Sequence, residues 1–293
     1  MIIEKQPMKL ISIPTGNFKL DGGATFGVLP KSIWKKMYTA DENNLINFSM
    51  RCLLIESGDH RILIDTGCGN KQSEKFFSHY YLNGDDSLAG SLANAGYSFD
   101  DITDVIHTHL HFDHCGGSVV KDASGVLTPT FKNATYWVSE RQWQWALHPN
   151  RKESASFLPE NILPLQESGQ LKLIKEEGIL FPGISVRFFN GHTDGQIVVY
   201  INYYGNILIF GGDLMPISGL VHLPYVMSFD TRPLITVDEK ESFLNEVIDQ
   251  QQTIFLEHDL ETECITVKRG ARGFEVDQQL SLEDFIAFAP TGE

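Results

Sequence analysis

The sequence predicts an α/β protein of two β-sheets packed face to face with helices outside, and three observations carry that prediction. Short apolar runs of strand period alternate with segments of helical period. The runs fall into two halves that meet near residue 165, with no low-complexity tract or linker between them. Several runs end directly in an acidic or imidazole residue, the pattern of a site collected at strand ends.

Taken in order, Leu10–Ile13 and Phe18–Leu20 read as two short strands broken at Gly16-Asn17. Asp21 to Gly27 reads as a glycine-rich loop without phosphate-binding spacing, and Ser32 to Met37 as a short helix. Ser49–Ile55 and Arg61–Ile64, joined through Ser57-Gly58-Asp59, form a hairpin whose second strand runs into Asp65. Ser87–Ala95 is a helix stopped by Gly96, and Asp104–Thr108 is a strand. Thr135–Val138 is a strand followed by a helix capped by Ser139, and Pro149–Leu165 reads as an irregular cover. In the second half, strands are predicted at Leu171–Ile174, Ile184–Phe189, Ile197–Ile201, Ile207–Phe210 and Thr253–Leu256. Asp238–Gln250 is an amphipathic helix with Phe243, Leu244, Val247 and Ile248 on one face and Glu239, Lys240 and Asp249 elsewhere. Glu263–Val267 reads as an edge strand, and Lys268, Arg269 and Arg272 as a solvated basic patch.

The densest chemical signal is His109-x-His111-x-Asp113-His114, at the end of the strand Asp104–Thr108. On a strand, positions 109 and 111 point the same way. A turn into a helix then brings Asp113 and His114 onto the same space, which suits two metal ions side by side. Gly116 and Gly117 lack a Cβ, so the backbone is expected to pass close to whatever is bound. Cys115 is read as a small buried residue rather than a sulfur ligand.

Composition bounds the function. The 293 residues carry a net charge of −15, which argues against nucleic acid, whose phosphates need a basic footprint. The N-terminus, Met-Ile-Ile-Glu-Lys-Gln-Pro, has no apolar signal region, and no run is long enough to span a membrane. Four scattered cysteines without CxxC pairing indicate a reducing compartment, so the expected location is the cytoplasm. One domain over 1–293, acting on a small molecule and compatible with a homodimer, is the expectation.

Further candidate ligands follow later strands: His192 after Ile184–Phe189, Asp213 after Ile207–Phe210, and His258 after Thr253–Leu256. Singly, His192 suits a surface or core histidine, Asp213 a turn or helix cap, and His258 a solvated loop. Jointly, and in this order after the cluster, they point to one site.

These residues resemble the metallo-β-lactamase-fold hydrolases. The matching motifs are Thr108 to Gly117, Gly191-His192-Thr193-Asp194-Gly195-Gln196, Gly212-Asp213, His258-Asp259 and, earlier, Asp65-Thr66-Gly67. The resemblance implies a four-layer αββα sandwich of two mixed sheets. It implies a first metal site of His109, His111 and His192, a second of Asp113, His114 and His258, and Asp213 bridging them. Gly22 to Gly27 with Pro30-Lys31 and Trp34 is similar to the quorum-quenching lactonase and methyl-parathion-hydrolase branch. The lactonases of that branch place a tyrosine three positions after the bridging aspartate; here Pro216 stands there, and Tyr225 is a candidate substitute.

Nitrogen and oxygen donors suit zinc, with manganese, iron or cobalt also admitted. The expected nucleophile is a metal-bridging hydroxide, with Asp113 relaying its proton and Asp65 fixing a ligating histidine. Phe26, Trp34, His222, Tyr225, Met227 and Phe229 are candidates for an apolar substrate pocket. The expected reaction opens a lactone or related ester, an N-acyl-homoserine-lactone-like substrate being favoured. Phosphotriester cleavage is the alternative. Iron-dependent redox chemistry is disfavoured because His111 stands where the di-iron members tend to carry Glu.

Overall fold

Strands buried on both faces read as nearly continuous apolar runs, and this chain folds its runs into two such sheets. The computed structural model describes residues 7–288; the expectation drawn from Met1 to Gln6 lies outside them. Six strands form the first sheet, in the order Met8–Asp21, Leu45–Ser57, His60–Ile64, Asp104–Ile106, Thr135–Ser139 and Leu171–Ile174. The first three pair antiparallel and the rest parallel. Seven strands form the second sheet, running in space from Gly273–Leu280 through Cys264–Gly270, Thr253–Phe255, Asn206–Phe210, Gln196–Tyr203 and Ile184–Phe189 to Gly178–Phe181. Only Asn206–Phe210 and Thr253–Phe255 pair parallel there, so both sheets are mixed.

Alternation within one strand builds the layers. Leu53, Ile55, Ile62, Ile64 and Ile106 meet Ile197, Val199, Ile201, Leu208 and Phe210 between the sheets. Their neighbours Cys52, Leu54, Leu63 and Val105 face outward, against Leu92 and Leu165 of the helices Leu88–Asn94 and Pro159–Glu167. Val198, Tyr200, Ile209 and Ile254 likewise face Phe243, Leu244 and Val247 of the helix Pro233–Asp249. The result is the expected αββα sandwich. No described helix is long and apolar enough to cross a membrane.

Several local expectations are corrected. Leu10–Ile13 and Phe18–Leu20 belong to one strand, whose register shifts between Pro14 and Asn17 instead of breaking. The Asp21–Gly27 loop is a short helix, Gly22–Phe26, because the Asp21 carboxylate accepts from Ala24 N–H at 2.8 Å and caps it. The next helix spans Lys31–Trp34 and stops short of Met37. The irregular cover contains the helix Pro159–Glu167, started by a proline at its first turn. The amphipathic helix begins earlier, at Pro233, and its Lys240, read as lying off the apolar face, is buried. Cys264–Gly270 is an interior strand; the edge is Gly273–Leu280, whose alternation was too weak to read. Gly178–Phe181 and the small hairpin Val119–Lys121 with Leu127–Pro129 were also unread.

Candidate metal centre

The two sheets meet where their strands end. Asp65 N–H donates to Ile106 O at 3.0 Å, and Ile197 N–H to Thr108 O at 2.7 Å, tying the loop after Asp104–Ile106 to both sheets. Ser49 and Arg51 of the first sheet donate backbone N–H bonds to His258 and Glu257, at 3.2 and 3.0 Å. The strand stops at Ile106, so His109 and His111 lie in a turn rather than on a strand; the period-two argument for their common direction does not apply. What aims them is the turn itself, held by Asp65, which accepts from Thr108 N–H at 2.8 Å and from its hydroxyl at 2.5 Å. His111 then starts the short helix Phe112–Cys115, which carries Asp113 and His114.

Donor atoms from four segments converge: the stretch from His109 to His114, and the loops carrying His192, Asp213 and His258. One atom each of His109, His111, His192 and Asp213 lies within 4.8 Å of the others, as does one each of Asp113, His114 and His258. His111 Nδ1 is 2.9 Å from His109 Nε2 and 3.2 Å from His192 Nε2. His114 Nε2 and His258 Nε2 are 3.1 Å apart. Asp213 lies between the groups: its Oδ2 is 3.1 Å from His192 Nε2, and its Oδ1 is 3.2 Å from His258 Nε2.

The far nitrogen of every imidazole decides what the near one carries. His258 Nδ1 is 2.8 Å from Ser49 O, a carbonyl that can only accept, so the proton sits on Nδ1. His192 Nδ1 meets Asp230 Oδ1 at 2.8 Å, His111 Nε2 meets Glu153 Oε1 at 2.9 Å, and His114 Nδ1 meets Asp65 Oδ2 at 3.0 Å. The Thr108 hydroxyl spends its only hydrogen on Asp65, so at 3.1 Å it accepts from His109 Nδ1. In these neutral tautomers all five near nitrogens present lone pairs to one another and to two carboxylates. Buried groups of that kind require a positive partner. Asp213 Oδ1, buried and without a hydrogen-bond donor, states the same need. The residues fit divalent cations, and the far-nitrogen contacts are those that orient metal-binding histidines.

Electrostatics show the same demand for positive charge: burial opposes protonation of His114, His192 and His258, but Glu257 beside His114 and Asp213 beside the other two outweigh it, raising all three, His258 to about 9. Burial pulls His109 well below the usual imidazole range, and its neighbours His114 and His111 reinforce this, keeping it neutral. Burial raises Glu153, but the His111 hydrogen bond and charge bring it down to about 2, so it is an anionic acceptor. Burial likewise opposes ionisation of Asp213; His114, His192 and His258 outweigh it and hold the carboxyl well below its ordinary value.

Sequence reasoning named Asp65 for the role of orienting a ligand but missed Glu153 and Asp230. Asp230 left a signal: it is the only carboxylate between Leu214 and Val237. Glu153 left none, since Asn150-Arg151-Lys152-Glu153 reads as solvated polar chain although the glutamate is buried. Gly116 and Gly117 are close to backbone rather than to a ligand: a Cβ on them would stand 2.2 Å from Cys68 O and Thr66 O. Cys115 is buried with its Sγ 3.4 Å from Leu110 O, away from both donor groups.

A cleft of about 350 Å³ opens onto the donors. Of the pocket candidates, Met227 and Phe229 line this cleft, and Phe26, Trp34, His222 and Tyr225 do not. Phe26 and Trp34 stack at 5.8 Å inside an aromatic core, where bulky rings gain more from full burial than from a cleft wall. Tyr225 sits edge-on to His222 at 5.1 Å, so it does not replace the tyrosine absent at Pro216. The walls come instead from Phe18, Phe48, Tyr80, Phe112 and Ile217, with Pro216 beside them.

The family model described as the metallo-beta-lactamase superfamily matches residues 51–258. A solved chain from Staphylococcus aureus, described as a "probable metal-dependent hydrolase", is 30% identical with a TM-score of 0.85, over 96% of this chain and 99% of that one. An N-acyl homoserine lactonase of Bacillus thuringiensis is 28% identical over 203 residues, 66% of this chain and 70% of its own length. AidC, described as a dizinc quorum-quenching lactonase, superposes with a TM-score of 0.78 over 96% of this chain and 97% of its own. Its identity is 22%, so that likeness speaks for the fold.

Proposed function

We propose that this chain, which belongs to the metallo-β-lactamase superfamily and is a hydrolase of that fold, opens a lactone or related ester, with an N-acyl-homoserine-lactone-like substrate favoured. One observation carries the reading: a cleft with aromatic and aliphatic walls has two converging groups of imidazole and carboxylate donors as its floor. An acyl tail gains from the walls by losing water, while its carbonyl end is delivered to the donors.

His109, His111 and His192 would hold one divalent cation, Asp113, His114 and His258 a second, with one oxygen of Asp213 turned to each. Donors of this type favour zinc. Such cations, when bound, acidify water to a pKa of roughly 7 and polarise a carbonyl oxygen. The protein's part is geometric and acid–base. Asp113 lines the cleft with Oδ2 3.7 Å from His114 Nε2, the place from which a carboxylate takes the proton of an attacking water and returns it to the leaving alkoxide. Glu153, Asp230 and Asp65 fix the tautomers, so no histidine needs to reorganise as charge develops. The lactonase relative supports the substrate class. Four buried, unpaired thiols support the cytoplasm as its place of work.

The test is proton release from a panel of acyl lactones, aryl esters, phosphotriesters and glutathione thioesters with zinc-loaded protein. The reading expects the highest kcat/KM on an acyl lactone; a higher value on a phosphotriester would replace it.

A further inference from the structure

The segment from Pro216 to Arg232 supplies Ile217, Met227 and Phe229 to the cleft wall, and its Asp230 holds His192. Its regular structure amounts to one three-residue turn, Ser218–Leu220, so most of its carbonyls have no ladder or helix partner. Two ammonium groups collect six of them. Lys240 Nζ, 1% exposed as a residue, donates to Leu220 O, His222 O and Tyr225 O at 2.9, 3.0 and 2.8 Å. Lys152 Nζ donates to Ser228 O, Phe229 O and Asp230 O at 2.7, 3.1 and 3.1 Å. An ammonium has three N–H donors. Each lysine has spent all three on backbone, so neither has a donor left for a substrate.

Burial lowers Lys240 to about 8, still above neutrality, so the full tripod persists at pH 7. Lys152 stands next to Glu153, in the turn that reaches His111. One turn thus grips both sides of the site, a carboxylate on His111 and an ammonium on the loop behind His192.

We infer that Lys152 and Lys240 are positioning residues: their three-carbonyl anchors set the shape of the wall from Pro216 to Asp230 and so decide which apolar tails the cleft accepts. The choice of tails rests on the proposed lactone or ester reading; the anchoring does not. Arg is a poor replacement, because its planar fork cannot converge on three carbonyls as a tetrahedral ammonium does.

The test compares Lys152→Met and Lys152→Arg with the parent, all zinc-loaded, by amide hydrogen exchange and by kinetics on hexanoyl and decanoyl homoserine lactones. Lys240→Met serves as a second variant if it folds. In the parent, Ser228 N–H is bonded to Ala24 O at 2.8 Å and Asp230 N–H to Met227 O at 3.2 Å, which gives the exchange signal. Expected are exchange of these amides about tenfold faster in both Lys152 variants, and a decanoyl KM raised about fivefold with kcat within about twofold. Unchanged exchange overturns the inference. So does a lowered Tm with KM unmoved, which is what a merely structural lysine would give. If the parent opens no lactone, the functional reading falls alone and amide exchange still decides the anchoring.

Discussion

Glu153 Oε1 lies 2.9 Å from His111 Nε2, while His111 Nδ1 lies 2.9 Å from His109 Nε2. A buried glutamate from the cover segment thus sets the tautomer of a residue in the donor cluster. Its other oxygen accepts from Trp145 Nε1 at 2.7 Å and Asn150 Nδ2 at 3.0 Å, so its position is fixed from two sides. Glu153→Ala is expected to weaken metal binding about 10–100-fold, since it removes the acceptor behind a ligand. Competition against a chromophoric chelator measures this, and Glu153→Gln, which keeps one acceptor oxygen, is expected to fall between.

Among the described residues, Asp213 is the side chain with an oxygen toward each donor group. In Asp213→Asn one of those oxygens becomes an NH₂, a donor facing imidazole lone pairs. Activity is expected to be abolished, with metal content falling by about one equivalent per chain. His192→Ala is expected to abolish activity as well. Full activity in either variant would remove that residue from the site.

Metal removal should unload the fold. Without cations, buried lone pairs face one another, and any ligand that binds only the native state stabilises it by mass action. At a free metal concentration of about 1,000 Kd that amounts to about 4 kcal/mol. At about 2–4 °C per kcal/mol for a large domain, chelation is expected to lower Tm by about 8–16 °C. Readdition of zinc should restore it, as read by calorimetry.

Gly117 marks a contact with no slack. Its missing Cβ would stand 2.2 Å from Thr66 O, a backbone atom fixed beside Asp65. Gly117→Ala must therefore shift the loop that carries Asp65. A loss of about 1–3 kcal/mol, typical of overpacking, is expected in urea unfolding.

How much was legible in the sequence followed from the range of the forces involved. The Leu45–Ser57 and His60–Ile64 hairpin was readable because strand burial and turn residues are local signals. So were the residues that ended each strand. Glu153 and Lys152 were not, since a polar run looks the same whether it is solvated or holds a histidine and three carbonyls across the chain. Phe26 and Trp34 were misread for the converse reason: an aromatic pair near a glycine-rich stretch carries no mark of whether it faces a cleft or a core. The strand expected over Asp104–Thr108 was two residues too long, because Thr108 instead gives its N–H and hydroxyl to Asp65, a contact 43 residues away in the chain.

The most direct test of the account is metal stoichiometry. Plasma mass spectrometry on protein purified without chelator and dialysed against trace zinc should find about two divalent ions per chain. One or fewer would contradict a paired site built on Asp213, and with it the hydrolytic chemistry assigned to these residues.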